Sequence, residues 1–128
     1  SSSSAASDVY KRQSLNSDPP TIYGDGEQSR DFTYVENVVQ ANLLACQAKD
    51  AAGQVFNIAC GRCTTINVLA KEIKRLLDSS IEFIYGPPRL GEIRHSVADI
   101  QKAQEILGYE PKADIGEGLK KMIQWMRE

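Results

Sequence analysis

Between Thr65 and Leu77, apolar side chains fall at Ile66, Leu69, Ala70, Ile73, Leu76 and Leu77, while Lys71, Glu72, Lys74 and Arg75 fill the other side. That spacing is the period of an α-helix with one buried stripe, and Thr65 is placed to cap it. Short, largely apolar runs flank the helix at residues 54–58 and 81–85, with glycine turns after them at Gly61 and Gly86. Such runs read as strands. Strand, helix and strand in close succession argue for an α/β arrangement with helices packed on a sheet.

The rest of the chain repeats this alternation. Thr21-Ile22-Tyr23 reads as a short strand after the stiff Pro19-Pro20 pair, stopped by the Gly24-Asp25-Gly26 turn. Asp31 to Tyr34 alternates apolar and polar residues and predicts a second extended piece. Val35, Val38, Val39, Leu43 and Cys46 then give one apolar face to a helix reaching about Lys49. Gly86 to Gly91 holds two prolines and must be a loop. Asp99 is a suitable N-cap for a helix through Leu107, with Gly108 just past its end and Pro111 blocking continuation. A last helix carries Ile115, Leu119, Met122, Ile123 and Met126 on one face. About four strands and four helices are expected. The strands are so few and short that they look like part of a larger sheet. Residues 1–13 are small and polar, without apolar periodicity. They are expected to be a disordered leader, with a composition that also suits a non-native extension, and the domain is placed at residues 14–128.

Composition excludes several classes. Fifteen Lys and Arg against seventeen Asp and Glu leave a net charge of −2, without the basic footprint of a general nucleic-acid binder. No run of about 18 apolar residues exists to span a membrane. Three cysteines among 128 residues are too few for a disulfide scaffold and suit a reducing compartment. The N-terminus has no apolar stretch of a secretory signal, so a cytoplasmic protein is expected.

Catalytic motifs are missing as well. The nine glycines form neither GxGxxG nor GxxGxxG. The residues four places after the tyrosines are Ser14, Glu27, Val38, Arg89 and Ala113, so no Tyr/Lys pair exists. His95 is the single histidine, and nothing builds a Ser-His-Asp site on it. Cys60-x-x-Cys63 precedes a helix, as a redox pair would, and Cys46, Cys60, Cys63 and His95 would add up to four zinc ligands. A lone CxxC is a weak motif, however, and Cys46 on the apolar helix face reads as a small buried hydrophobe. The expectation is therefore no catalytic residue, no metal site and no cofactor site within this chain.

The stretch Ile22-Tyr23-Gly24-Asp25-Gly26-Glu27-Gln28-Ser29-Arg30-Asp31-Phe32-Thr33-Tyr34-Val35 resembles a signature of the extended short-chain dehydrogenase/reductase family of NAD-dependent nucleotide-sugar epimerases and dehydratases. Two further blocks agree in order and spacing. One runs from Val55 to Gly61 and continues at Thr65-Ile66-Asn67. The other runs from Pro88 to Asp99 and continues at Lys102-Ala103 and Leu107 to Pro111. The resemblance covers roughly Ser14 to Glu128 and is strongest to UDP-N-acetylglucosamine and UDP-glucose 4-epimerases. Within it, the run Tyr34-Val35-Glu36-Asn37-Val38-Val39-Gln40-Ala41-Asn42-Leu43-Leu44-Ala45 marks the subgroup of surface-polysaccharide pathways.

What the resemblance implies is a C-terminal fragment. The parent enzyme, commonly a homodimer, would hold NAD and a catalytic tyrosine in an N-terminal Rossmann half, and this chain would hold the UDP-sugar. Residues 54–58 would then be a late strand of the large sheet. Arg30 and Arg89 match diphosphate-contacting arginines, whose planar forks suit phosphate oxygens. Glu92 matches a carboxylate that binds ribose hydroxyls, where the family usually has Asp. Tyr23 matches an aromatic position against uracil, a packing worth roughly 1 kcal/mol. Ser96, four residues after Glu92, matches a sugar-pocket position near C2 that is small in enzymes accepting N-acetyl sugars. UDP-GlcNAc and UDP-GalNAc are therefore favoured over UDP-glucose and UDP-galactose. Asn37 stands where many relatives have Asp and reads as a helix cap, and Ala59 stands where many have Gly. The rivals are a dTDP-glucose 4,6-dehydratase, a UDP-glucuronate decarboxylase and a binding domain without catalysis. The fragment alone is expected to be inactive.

Overall fold

In the computed structural model, which describes residues 19–128, the helix anchored at Thr65 organises its neighbours. It follows β1 (Thr21–Tyr23), β2 (Ser29–Arg30), α1 (Val35–Gln47) and β3 (Thr64–Thr65), and is itself α2 (Ile66–Leu76). After it come β4 (Ile84–Gly86), α3 (Gln101–Leu107) and α4 (Ile115–Arg127). The leader expected at residues 1–13, and the stretch to residue 18, lie outside the described residues. Oγ1 of Thr65 accepts the backbone N–H of Val68 at 3.1 Å, which satisfies one of the free donors at the start of α2. Ile66, Leu69, Ala70 and Ile73 are buried against Ile22 of β1 and Leu119 of α4. A fully buried side chain of this size contributes about 1.5–3 kcal/mol, so this stripe is the main cohesive element.

The strands form two pairs. β1 and β4 are parallel, with Ile22 opposite Tyr85, and β2 and β3 are antiparallel, with Ser29 opposite Thr65. Parallel neighbours need a crossover, and the chain between β1 and β4 supplies it with α1 and α2. A second core gathers Ala41, Ala59, Ile100, Ala103, Leu107 and Tyr109. The Tyr109 hydroxyl donates to the carbonyl of Ala59 at 2.8 Å, and burial pushes the phenol up to about 12. Gly108 ends α3 at φ 68°, and its N–H reaches the carbonyl of Gln104 at 3.1 Å, a left-handed stop that favours glycine. α4 starts where Oδ1 of Asp114 accepts the N–H of Glu117 at 2.8 Å.

Several expectations are corrected by tertiary context. The ladder residues lie at Ser29–Arg30 and not at 31–34, because Asp31 turns its carboxylate to the backbone N–H groups of Cys60, Gly61 and Ala98. The expected strand at 81–85 is confined to Ile84–Gly86, the stretch that faces β1. The expected late strand at 54–58 has no ladder partner among the described residues, and Val55 is 83% exposed. α1 forms as expected, but Val35, Val38, Val39, Leu43 and Cys46 are exposed and its buried residues are Asn37 and Ala41. Asn37 is not the cap. Tyr34 holds that position without a side-chain bond, and the Asn37 amide ties down the chain at Lys112–Ala113 instead. α3 begins at Gln101 with Ile100 at its cap position, while Oδ1 of Asp99 accepts the Gln101 N–H at 3.0 Å. No helix among the described residues is long and apolar enough to cross a membrane.

Candidate functional site

Parallel strands that end at one edge leave a crevice beyond their carboxyl ends. Here the turn after β1 and the loop after β4 wall a cleft of about 450 Å³. Tyr23, Arg89 and Glu92 line it, together with Asp25, Gln28 and Arg94. The guanidinium of Arg89 lies over the Tyr23 ring, 4.3 Å from its centroid. A cation over an aromatic face is attracted by the ring quadrupole. Among the described residues Arg89 has no carboxylate partner, so its charge is available to an anion.

Arg30 enters from β2, beside the cleft. Its Nη1 donates to the Ser29 carbonyl at 2.7 Å, and its Nη2 stands 3.5 Å from Oε1 of Glu92. The structure thus brings Tyr23 to Arg89 and Arg30 to Glu92. Ser96 stands apart: it is exposed, does not line the cleft, and its N–H donates to the Ser29 carbonyl at 3.1 Å. Its neighbour His95 shares a hydrogen bond with the Ser29 hydroxyl, at 2.8 Å from Nδ1.

The wall after β1 is held from beneath. Nε2 of Gln28 donates to the Tyr23 carbonyl at 2.8 Å, and the N–H of Asn67 donates to the Gly26 carbonyl at 2.9 Å. Gly26 sits at φ 77°, and a Cβ there would fall 2.0 Å from Oδ1 of Asn67, so any other residue would be strained and would displace the Asn67 amide. Asp25 points from the same turn to Arg94 across the cleft, with N–O distances of 2.7 and 2.8 Å. Asp25, Gln28 and Arg94 were not among the sequence-predicted site residues. Asp25 and Gln28 lie in the family-like stretch and Arg94 in the block after Pro88, but nothing in a linear pattern pairs residues 69 positions apart.

The cleft therefore offers an aromatic face, guanidinium groups and a carboxylate. That set suits a ligand with a flat ring, an anionic centre and hydroxyl donors. A thiol site fits less well. Burial pushes the Cys60 thiol up, the opposite of an activated thiolate. Cys63 donates to the Ser96 carbonyl at 3.7 Å.

Residues 5–122 match the family described as GDP-mannose 4,6 dehydratase. A UDP-glucose 4-epimerase from Thermotoga maritima, solved with UDP-glucose, superposes at a TM-score of 0.88 with 43% identity over 95% of this chain and 39% of that one. A UDP-N-acetylglucosamine 4-epimerase from Methanobrevibacter ruminantium, solved with UDP-N-acetylmuramic acid, gives 0.87 and 37% over 94% and 38%. UDP-glucuronic acid decarboxylase 1 of Arabidopsis thaliana is 35% identical over 118 residues, 92% of this chain and 27% of the relative. The chain belongs to the extended short-chain dehydrogenase/reductase family of nucleotide-sugar epimerases and dehydratases, and its α/β fold corresponds to their C-terminal part. It spans about two fifths, or less, of the length of these relatives.

NAD accompanies a UDP-sugar in solved structures of the family. The described residues do not fit that cofactor. β3 runs straight into α2 at Thr65–Ile66 without a glycine, and the glycine turn after β1 leads to a strand and not to a helix. No hydride step is assigned to these residues.

Proposed function

We propose that this chain is the nucleotide-sugar-binding portion of an NAD-dependent UDP-sugar 4-epimerase. The observation that carries the reading is the Tyr23–Arg89 stack beside the Arg30–Glu92 pair at the end of β1 and β4. In this reading Tyr23 packs against the base, and Arg89 and Arg30 take the diphosphate. Glu92 accepts the ribose hydroxyls. The groups of the cleft pair with each other, so nucleotide binding exchanges one set of partners for another. Arg89 leaves the ring face for phosphate oxygens, and Arg30 gives up a 3.5 Å ion pair for shorter charge-assisted bonds. The chain supplies no hydride acceptor and is inactive alone.

Calorimetric titration with UDP tests this. Arg30→Ala or Arg89→Ala is expected to weaken UDP binding by roughly 2 kcal/mol. Unchanged affinity in both variants would remove the cleft from consideration.

We further infer a preference for UDP-GlcNAc and UDP-GalNAc, supported by the small Ser96 side chain. A tyrosine at this position would fill the space of an acetamido group, and overpacking costs roughly 1–3 kcal/mol. Ser96 lies outside the cleft lining in this chain, so the sugar ring would extend beyond the nucleotide cleft toward residues 29 and 95–96. Ser96→Tyr, introduced into a protein that joins this chain to an NAD-binding half, should lower kcat/KM for acetylated substrates alone. Equal losses for both substrate classes would refute the assignment.

A further inference from the structure

Segment 87–93 carries Arg89 and Glu92 across the cleft, yet among the described residues no backbone hydrogen bond ties it to the rest of the chain. Leu90 at its crest is fully exposed and Ile93 largely so. Its upstream end is fixed by β4. Its downstream end is fixed at Arg94, whose carbonyl accepts the N–H of Ser29 at 2.8 Å and Nη1 of Arg30 at 3.5 Å. From there the Arg94 side chain reaches the opposite wall. Nη1 donates to Oδ1 of Asp25 at 2.7 Å and Nη2 to Oδ2 at 2.8 Å, the parallel fork that a guanidinium makes with a carboxylate.

The Asp25 end is a fixed post. Oδ1 also accepts the N–H of Glu27 at 2.9 Å, and the Asp25 carbonyl accepts Nδ2 of Asn67 at 3.0 Å. Asn67 belongs to the first turn of α2 and takes a hydrogen bond from the Tyr85 hydroxyl at 2.6 Å. The post is thereby tied to α2 and to β4. The Arg94 guanidinium holds the Asp25 carboxyl down to about 2, so both partners are charged throughout the neutral range.

We propose that Arg94 and Asp25 form a clasp that positions the Arg89–Glu92 segment over the cleft for the diphosphate and ribose of the nucleotide. The proposal rests on the functional reading above. Neither residue has to touch the ligand. Both act by setting where Arg89 and Glu92 stand. A clasp needs both charges, whereas a direct phosphate ligand would need Arg94 alone and would bind better without the competing Asp25 carboxylate.

The test is UDP titration of the 128-residue chain in wild-type form and as Arg94→Ala, Asp25→Asn, the double variant, and the reversed pair Asp25→Arg with Arg94→Asp. Each single variant should weaken UDP about three- to tenfold, with the double variant no worse than either single. The reversed pair should regain a large part of the loss. The melting temperature should hold within a few degrees in every case, because an exposed pair contributes little to stability. Hydrogen exchange at the Ser29 amide, which donates to the Arg94 carbonyl at 2.8 Å, should quicken in both single variants when measured without nucleotide. The proposal falls if Asp25→Asn leaves UDP affinity unchanged or raises it, if affinity falls only in step with melting temperature, or if exchange does not change. Faster exchange in variants of a chain that binds no UDP would keep the clasp and refute the functional reading.

Discussion

α1 and α2 carry apolar residues at the same helical spacing and meet opposite fates. In α2, Leu69 and Ile73 are essentially fully buried between β1 and α4. In α1, Val35, Val39 and Leu43 are 61%, 50% and 60% exposed, and the helix is held by Ala41 and the polar Asn37. Periodicity says that a helix has an apolar face. It does not say what covers that face. α2 finds its cover within this chain, while Val35, Val39 and Leu43 of α1 have none among the described residues.

The largest expected effect tests the buried side of this contrast. Ile73→Ala should destabilise the chain by about 2–5 kcal/mol in urea denaturation, and Leu43→Ala by no more than about 0.5 kcal/mol. Similar losses would erase the distinction between the helices.

Asn37→Ala comes next and asks how α1 is anchored. Oδ1 of Asn37 accepts the N–H groups of Lys112 and Ala113, both at 3.1 Å, and Nδ2 donates to the Ala113 carbonyl at 2.9 Å. Truncation leaves these groups without their partner, at a cost of about 1–3 kcal/mol. A loss as small as that of Leu43→Ala would mean that α1 is anchored elsewhere.

A third test separates the two cores by pH. The Ile73 core contains no titratable side chain, whereas the second is built on Tyr109. Its folded pKa of about 12 lies above the ordinary value of 10.0, so its contribution is fully present below about pH 10 and is lost as pH rises through about 12. The loss amounts to roughly 2–3 kcal/mol at most. Urea midpoints of wild type and Tyr109→Phe, compared from pH 8 to pH 12, should converge as the pH rises. A constant difference would place the phenol in a solvated site.

The smallest effect concerns the open face itself. Leu43→Lys should lower the binding of an apolar dye while leaving the urea midpoint almost unchanged. A large drop in midpoint would show that the face is covered in solution.

These contrasts mark how far a linear pattern reaches. The α/β class, the boundaries of α2 and its Thr65 cap, the stop at Gly108 and the last helix were all legible, because each rests on contacts within a turn or two. The wrong assignments at 31–34 and Asn37 share another cause. Asp31 and Asn37 serve backbone groups 29 to 76 positions away, and a strand exists only by virtue of its partner. The same division holds in the cleft. Tyr23, Arg89 and Glu92 came from a family-like motif and do line it, while the Asp25–Arg94 crossing depends on a fold that no short window contains.

The parallel pairing of β1 with β4 also sets an order of events during synthesis. Tyr23 leaves the ribosome with its strand partner still unmade, and Ile22 cannot meet Tyr85 until the whole α1–α2 crossover has followed. The entropy of closing so long a loop must be met before any contact across it forms, which makes this closure slow relative to the local winding of α2. Until then the β1 edge and the Ile22 side chain stand open, so the growing chain is most prone to wrong pairing while its future cleft is only half written.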